Sequence, residues 1–124
     1  MKKLILFTIL AFGLMISAYS QNNSLSDQDL KKAKTYNSLE EALKEPFKVY
    51  TLDLRYQELK TLPKEIGKLK NLKELNLWQN QLKALPKEIG YLKMLKRLNL
   101  RNNKLSEREK EKIKKLLPKC VIYF

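Results

Sequence analysis

Histidine is absent from this 124-residue chain, cysteine occurs once, and there are three glycines, four prolines and one tryptophan. Each scarcity closes off some chemistry. Without histidine, the lone cysteine has no ordinary base to activate it. No glycine-rich phosphate loop, nucleophile elbow or metal-ligand spacing occurs anywhere along the chain. One cysteine, Cys120, cannot close an internal disulfide, so stability must come from a core, and its thiol is expected there as a small buried hydrophobe. Glu65 and Glu88 share no cleft and are expected to be solvated partners of lysines, not an acid/base pair. No catalytic residue, cofactor or metal site is expected, and on these grounds the chain is not expected to be an enzyme.

Lysine is what the chain has in excess. Lys and Arg number 26 against 13 acidic residues, a formal charge of +13. Met1-Lys2-Lys3 is followed by an apolar run from Leu4 to Ile16, interrupted by Thr8 and Gly13, and then by Ser17-Ala18-Tyr19-Ser20. That three-part layout predicts a secretory signal peptide over residues 1–20, cut before Gln21. The run falls short of the roughly 20 apolar residues that span a bilayer, so no transmembrane segment is expected after cleavage. Cys120 lies too far from the cut for lipid attachment. Removing Lys2 and Lys3 leaves a charge of +11, which favours acidic partners in general. Residues 21–35 are polar and aperiodic, and read as a flexible lead or a weak helix.

Self-comparison reveals the organisation of the remainder. Residues 49–71 align without a gap on 72–94, with 12 of 23 positions identical, including Leu-Pro-Lys-Glu-Ile-Gly at 62–67 and again at 85–90. A third copy runs from Leu95 to Leu105 and then leaves the pattern. In Leu75-Asn76-Leu77 the alternation sends both leucines to one side and Asn76 to the other, the mark of a short strand. Leu82, Leu85, Ile89 and Leu92 recur at three or four, the spacing of an irregular or helical return path. One such loop cannot bury its own leucines, whereas stacked copies make a continuous core and a parallel sheet. Pro86 suits the start of the return segment, and Gly90 is expected to permit a tight or positive-φ turn.

The spacing Leu72-x-x-Leu75-x-Leu77-x-x-Asn80-x-Leu82, repeated from Leu95 to Leu105, resembles the leucine-rich repeat. The half Leu-Pro-x-x-Ile-Gly-x-Leu is similar to the variant with 23-residue units found in short secreted bacterial proteins and in some eukaryotic signalling proteins. The resemblance covers residues 36–124, with repeats at about 49–71, 72–94 and 95–105 and a C-terminal cap at 106–124. It implies an α/β solenoid with a parallel sheet on its concave face and helical caps at both ends. Asn80 and Asn103 then occupy the family's asparagine position, where the amide bonds buried backbone of the bend. Gln57 stands in that slot in the first repeat.

Both flanks read as caps. Ser38-Leu-Glu-Glu41 is a capping box opening a short helix that ends before Pro46, after which Phe47 and Val49 are expected to enter the first strand. Ser106-Glu-Arg-Glu109 is a second box, followed by a longer helix with Ile113, Leu116 and Leu117 on one side. In the last residues Cys120, Ile122 and Phe124 alternate inward, which predicts a fourth parallel strand.

The alternation that buries the leucines projects their neighbours onto the sheet's open face. The period arranges them in columns: Thr51, Glu74 and Arg97; Asp53, Asn76 and Asn99; Arg55, Trp78 and Arg101; Tyr56, Gln79 and Asn102. Trp and Arg are enriched at binding hot spots, so Trp78 between two arginines, substantially exposed, marks a candidate protein-binding face. The competing reading is that Arg55 and Arg101 cover the indole by cation–π stacking. Lys64, Lys68, Lys70, Lys87, Lys93 and Lys96 spread over the opposite side as a solvated face. The expectation is therefore an exported module, in the periplasm, on the cell surface or outside the cell. It binds an envelope or host protein; the alternative is charge-driven binding of an anionic glycan or lipid surface. A monomer is expected, and nucleic acid is not an expected partner, because basic residues are not interleaved with exposed aromatics in one groove.

Overall fold

The computed structural model describes residues 26–124. The expected leader, with its cut before Gln21, lies outside the described residues. The described residues fall into two compact units, those up to Lys32 and Ala33–Phe124. In the first, helix α1 (Asp27–Lys32) opens on a reciprocal cap: Ser26 N donates to Asp29 Oδ2 at 3.1 Å and Asp29 N donates to Ser26 Oγ at 3.2 Å. No helix among the described residues is long and apolar enough to cross a membrane.

The second unit is a stack of coils. Strands β1 (Thr35–Tyr36), β2 (Thr51–Asp53), β3 (Glu74–Asn76), β4 (Arg97–Asn99) and β5 (Val121–Tyr123) form one parallel sheet in chain order. Thr51 lies opposite Glu74, and Glu74 opposite Arg97, so the offset between neighbouring strands is the offset of the sequence repeat. Leu52, Leu75 and Leu98 therefore stack directly, as do Leu54, Leu77 and Leu100 two residues on, and all six are buried. The ladder continues past the strands, with Leu54 N donating to Asn76 O and Leu77 N to Asn99 O, both at 2.8 Å. The expected strand at the C-terminus is present as β5, and β1 adds a strand at the front that sequence periodicity does not announce.

Each full coil returns through a 3-10 helical turn, at Lys64–Lys68 and Lys87–Tyr91. Pro63 and Pro86 precede these turns in extended backbone, where a missing N–H leaves no gap in the ladder, and their carbonyls accept from Ile66 N and Ile89 N. Gly90 sits in a tight turn, as expected, but without positive φ. Among the described residues no glycine has positive φ. A Cβ on Gly67 would instead stand 3.0 Å from both Cβ and the carbonyl oxygen of Glu88, and one on Gly90 3.3 Å from Leu116 Cδ2. Glycine at these positions lets successive coils approach. Positive φ falls on non-glycine residues at the bends, Tyr56, Glu58, Gln79 and Asn102.

Helix α2 (Leu39–Lys44) starts where Ser38 Oγ accepts from Glu41 N, and α3 (Glu107–Leu116) where Ser106 Oγ accepts from Glu109 N. They close the core with Ala42 at one end and Ile113 and Leu117 at the other, all buried. Phe47 departs from the expected strand entry. It sits in a 3-10 turn, Pro46–Lys48, and is 67% exposed, because the inward slot is taken by Val49.

The asparagines brace the bends. Asn80 Nδ2 donates to Leu54 O at 2.9 Å and Leu77 O at 3.0 Å, while its Oδ1 accepts from Gln57 N and Leu59 N. Asn103 repeats the pattern one coil later, donating to Leu77 O and Leu100 O and accepting from Leu82 N. Gln57 is exposed, and its amide reaches Asn37 O at 2.9 Å, a bond to the N-terminal cap in place of the two-coil clamp.

Candidate functional site on the outer face of the sheet

Thr51, Asp53, Glu74, Asn76, Arg97 and Asn99 all fall on the outward side of β2 to β4, where none is buried. Their side chains are largely engaged with one another or with the chain. Asp53 Oδ1 accepts from Arg55 N at 3.2 Å, Asn76 Oδ1 from Trp78 N at 3.1 Å and Asn99 Oδ1 from Arg101 N at 3.2 Å. This column is thus a row of Asx turns: a short side-chain oxygen closes onto the N–H two residues ahead and turns the strand into the bend. That local chemistry explains why only Asp or Asn occurs there. Glu74 pairs with Arg97 in the next coil.

The column of Arg55, Trp78 and Arg101 is arranged differently from expectation. Arg55 turns back to Asp53, with Nε 2.9 Å from both carboxylate oxygens, and the ion pair raises the guanidinium's pKa further. Arg101 lies over the Tyr123 ring, 4.9 Å from its centroid. The indole is instead covered by Tyr56, edge-on at 4.9 Å between centroids and 64° between planes. Trp78 is consequently half-buried, not substantially exposed, and neither arginine is its cover. Tyr56 is 59% exposed and carries the aromatic surface outward. Its companions at the bend, Gln79 and Asn102, are exposed and joined by an Asn102 Nδ2 to Gln79 Oε1 bond of 3.2 Å.

Two residues extend this face beyond the predicted columns. Val121 and Tyr123 are outward on β5, in register with Arg97 and Asn99, and both are exposed. The inward alternation of Cys120, Ile122 and Phe124 was the available signal, since it turns the intervening residues out. Glu74, Asn76, Arg97, Asn99, Arg101 and Tyr123 surround a shallow hollow of about 220 Å³. The site is therefore a polar floor of fixed side chains, flanked by Tyr56–Trp78 and by Arg101–Tyr123.

Elsewhere, Cys120 is half-buried where full burial was expected, because it lies beside the end of α3 in the last, incompletely covered coil; burial still pushes its thiol up to about 11. The return-side lysines named above are all exposed. Lys73 is buried, its ammonium 5.9 Å from the Tyr50 ring centroid.

Residues 47–105 match the leucine rich repeat family. The solved structure of a leucine-rich repeat protein from Leptospira interrogans is similar to this chain, at 49% sequence identity and a TM-score of 0.65. The likeness covers 72% of this chain and 22% of that one, so this chain spans about a fifth of that protein's length. No curated protein matches. The repeated spacing, the register of the strands, the paired asparagine clamps and this likeness lead to one assignment: the chain belongs to the leucine-rich repeat proteins.

Proposed function

We propose that the domain is a non-enzymatic protein-interaction module, exported from a bacterial cell, that binds an envelope or host protein through the outer face of its sheet. The pairing of Tyr56 with Trp78 carries the reading. A large, partly exposed aromatic pair held by ring contact loses little side-chain freedom on binding, which is what makes such residues effective anchors. The surrounding polar side chains are already fixed by Asx turns and ion pairs, so ordering them on association costs little. Leucine-rich repeat domains are commonly interaction modules, and the similar Leptospira structure favours a bacterial setting. The sequence of residues 1–20 favours export.

A photoreactive side chain introduced at Arg101, on this face, should crosslink a discrete protein from envelope or host extract, while the same group at Lys87 on the return side should not. Crosslinks at Lys87 alone would refute the reading. So would binding that vanishes on raising the salt with no crosslink at Arg101, which is the behaviour of a charge-driven association with an anionic surface.

A further inference from the structure

The loops that lead from the return side into each strand stack on one another. Asn71 Nδ2 donates to Phe47 O at 2.8 Å, and Lys70 Nζ stands 4.7 Å from the centroid of the Tyr91 ring. Val49, Leu69, Leu72, Leu92 and Leu95 turn inward here and are buried. The residues between them face solvent: Phe47 in one coil, Lys68 and Lys70 in the next, and Tyr91, Lys93 and Met94 in the third. Phe47 is 67% exposed, Tyr91 51% and Met94 46%. Glu45, the carboxylate at the register of Lys68 and Tyr91, is taken up by Lys48 at 2.7 Å. Adjacent coils lie about 4.8 Å apart, so this edge brings three large apolar groups and three lysines within about 10 Å along the stack.

Exposed apolar side chains interleaved with lysine call for a partner that is anionic at its surface and apolar just beneath. We propose that this edge docks on an anionic phospholipid bilayer, with Lys68, Lys70 and Lys93 among the head groups, Tyr91 at their level, and Phe47 and Met94 entering the acyl boundary. An anionic glycan would satisfy the lysines and leave Phe47 and Met94 without a role. The surface is distinct from the outer face of the sheet and does not rest on the protein-binding reading.

The test uses the full chain in a Cys120→Ser background, with a polarity-sensitive fluorophore on a cysteine introduced at Phe47→Cys, at Met94→Cys or, past the bend, at Lys83→Cys. Vesicles of equal parts phosphatidylglycerol and phosphatidylcholine should blue-shift the label at 47 and 94 but not at 83, and vesicles of phosphatidylcholine alone should shift none. The label responds to local depth, so membrane attachment through the N-terminal apolar run cannot imitate the pattern. Adding Lys68→Glu, Lys70→Glu and Lys93→Glu should lower the shifted fraction of the label at 94 by at least about tenfold at half-saturating lipid, in line with the attraction of single lysines to anionic membranes. Labels at 47 and 94 that stay aqueous, that shift no more than the label at 83, or that ignore the charge reversals overturn the proposal.

Discussion

The Tyr56 ring packs edge-on against the Trp78 indole from the neighbouring coil, one position out of step with it in the repeat. The left-handed backbone of Tyr56, φ 57°, belongs to the bend from which this contact is made. An edge-to-face aromatic pair of this kind contributes about 0.5–1.5 kcal/mol beyond the area it buries. Tyr56→Ala should therefore destabilise the domain by about 1 kcal/mol. It should also move the emission of Trp78, the single tryptophan, to the red and make it easier to quench. An unchanged spectrum would mean that the indole is covered by something else.

The asparagine clamps should rank by how many buried groups they satisfy. Asn80 joins four backbone groups of two coils and is buried, whereas Asn103 is half-buried and Gln57 exposed. Asn80→Ala should cost about 3 kcal/mol, Asn103→Ala about 2 and Gln57→Ala under about 1, from the penalty for stranded backbone groups. Denaturant unfolding measures the order, and a Gln57 variant as costly as the Asn80 variant would contradict it.

Gly67 and Gly90 occupy the same repeat position but should respond differently to a methyl group. At Gly67 the new carbon meets Glu88 backbone at 3.0 Å and the Tyr91 ring at 3.1 Å, with little room to yield. At Gly90 its closest neighbour is the end of the half-buried Leu116 side chain. Gly67→Ala should destabilise by about 1–3 kcal/mol, the usual range for overpacking. Gly90→Ala should be neutral or slightly stabilising, by up to about 1 kcal/mol, through reduced freedom of the unfolded chain. Equal melting-temperature losses would indicate a shared requirement for glycine backbone freedom, contrary to the close-approach account.

The repeat made most of this stack legible before any coordinates. A gapless period places leucines in register whatever the details of the return path, so β2, β3 and β4 follow from spacing, while the asparagine clamps follow from the resemblance to the leucine-rich repeat. Two-residue β1 does not, because Thr35-Tyr36 is too short to show alternation and lies ahead of the repeated segment. Arg55, Trp78 and Arg101 keep the offset of the repeat just past the ends of β2, β3 and β4, but the contacts of the competing reading, both arginines over the indole, do not form. Arg55 has a carboxylate two residues away and Arg101 an exposed tyrosine on β5, and each takes that partner in place of the indole. The bends at Tyr56 and Gln79 use left-handed backbone without glycine, so composition gave no sign of them.

Cys120 should be a slow nucleophile in the folded chain. Desolvation raises its pKa to about 11, so the thiolate fraction at pH 8 is only about a thousandth. Folding favours the protonated thiol, so this group's contribution to stability is intact below the unfolded-state pKa near 9 and is lost as pH rises through about 11. Alkylation should be much slower in native protein than in denaturant at pH 8, with the native rate still rising beyond pH 10. Equal rates in the two states would show the thiol to be freely solvated.

The most direct measurement of the binding claim is the affinity of Trp78→Ala for the protein captured by crosslinking at Arg101, with thermal unfolding checked in parallel. If Tyr56–Trp78 anchors the partner, the variant should remain folded, and its dissociation constant should rise about 30-fold or more, the scale of a hot-spot aromatic. That loss should persist at high salt. A folded Trp78→Ala protein that binds the same partner with unchanged affinity would contradict the assignment of the outer sheet face as the binding surface.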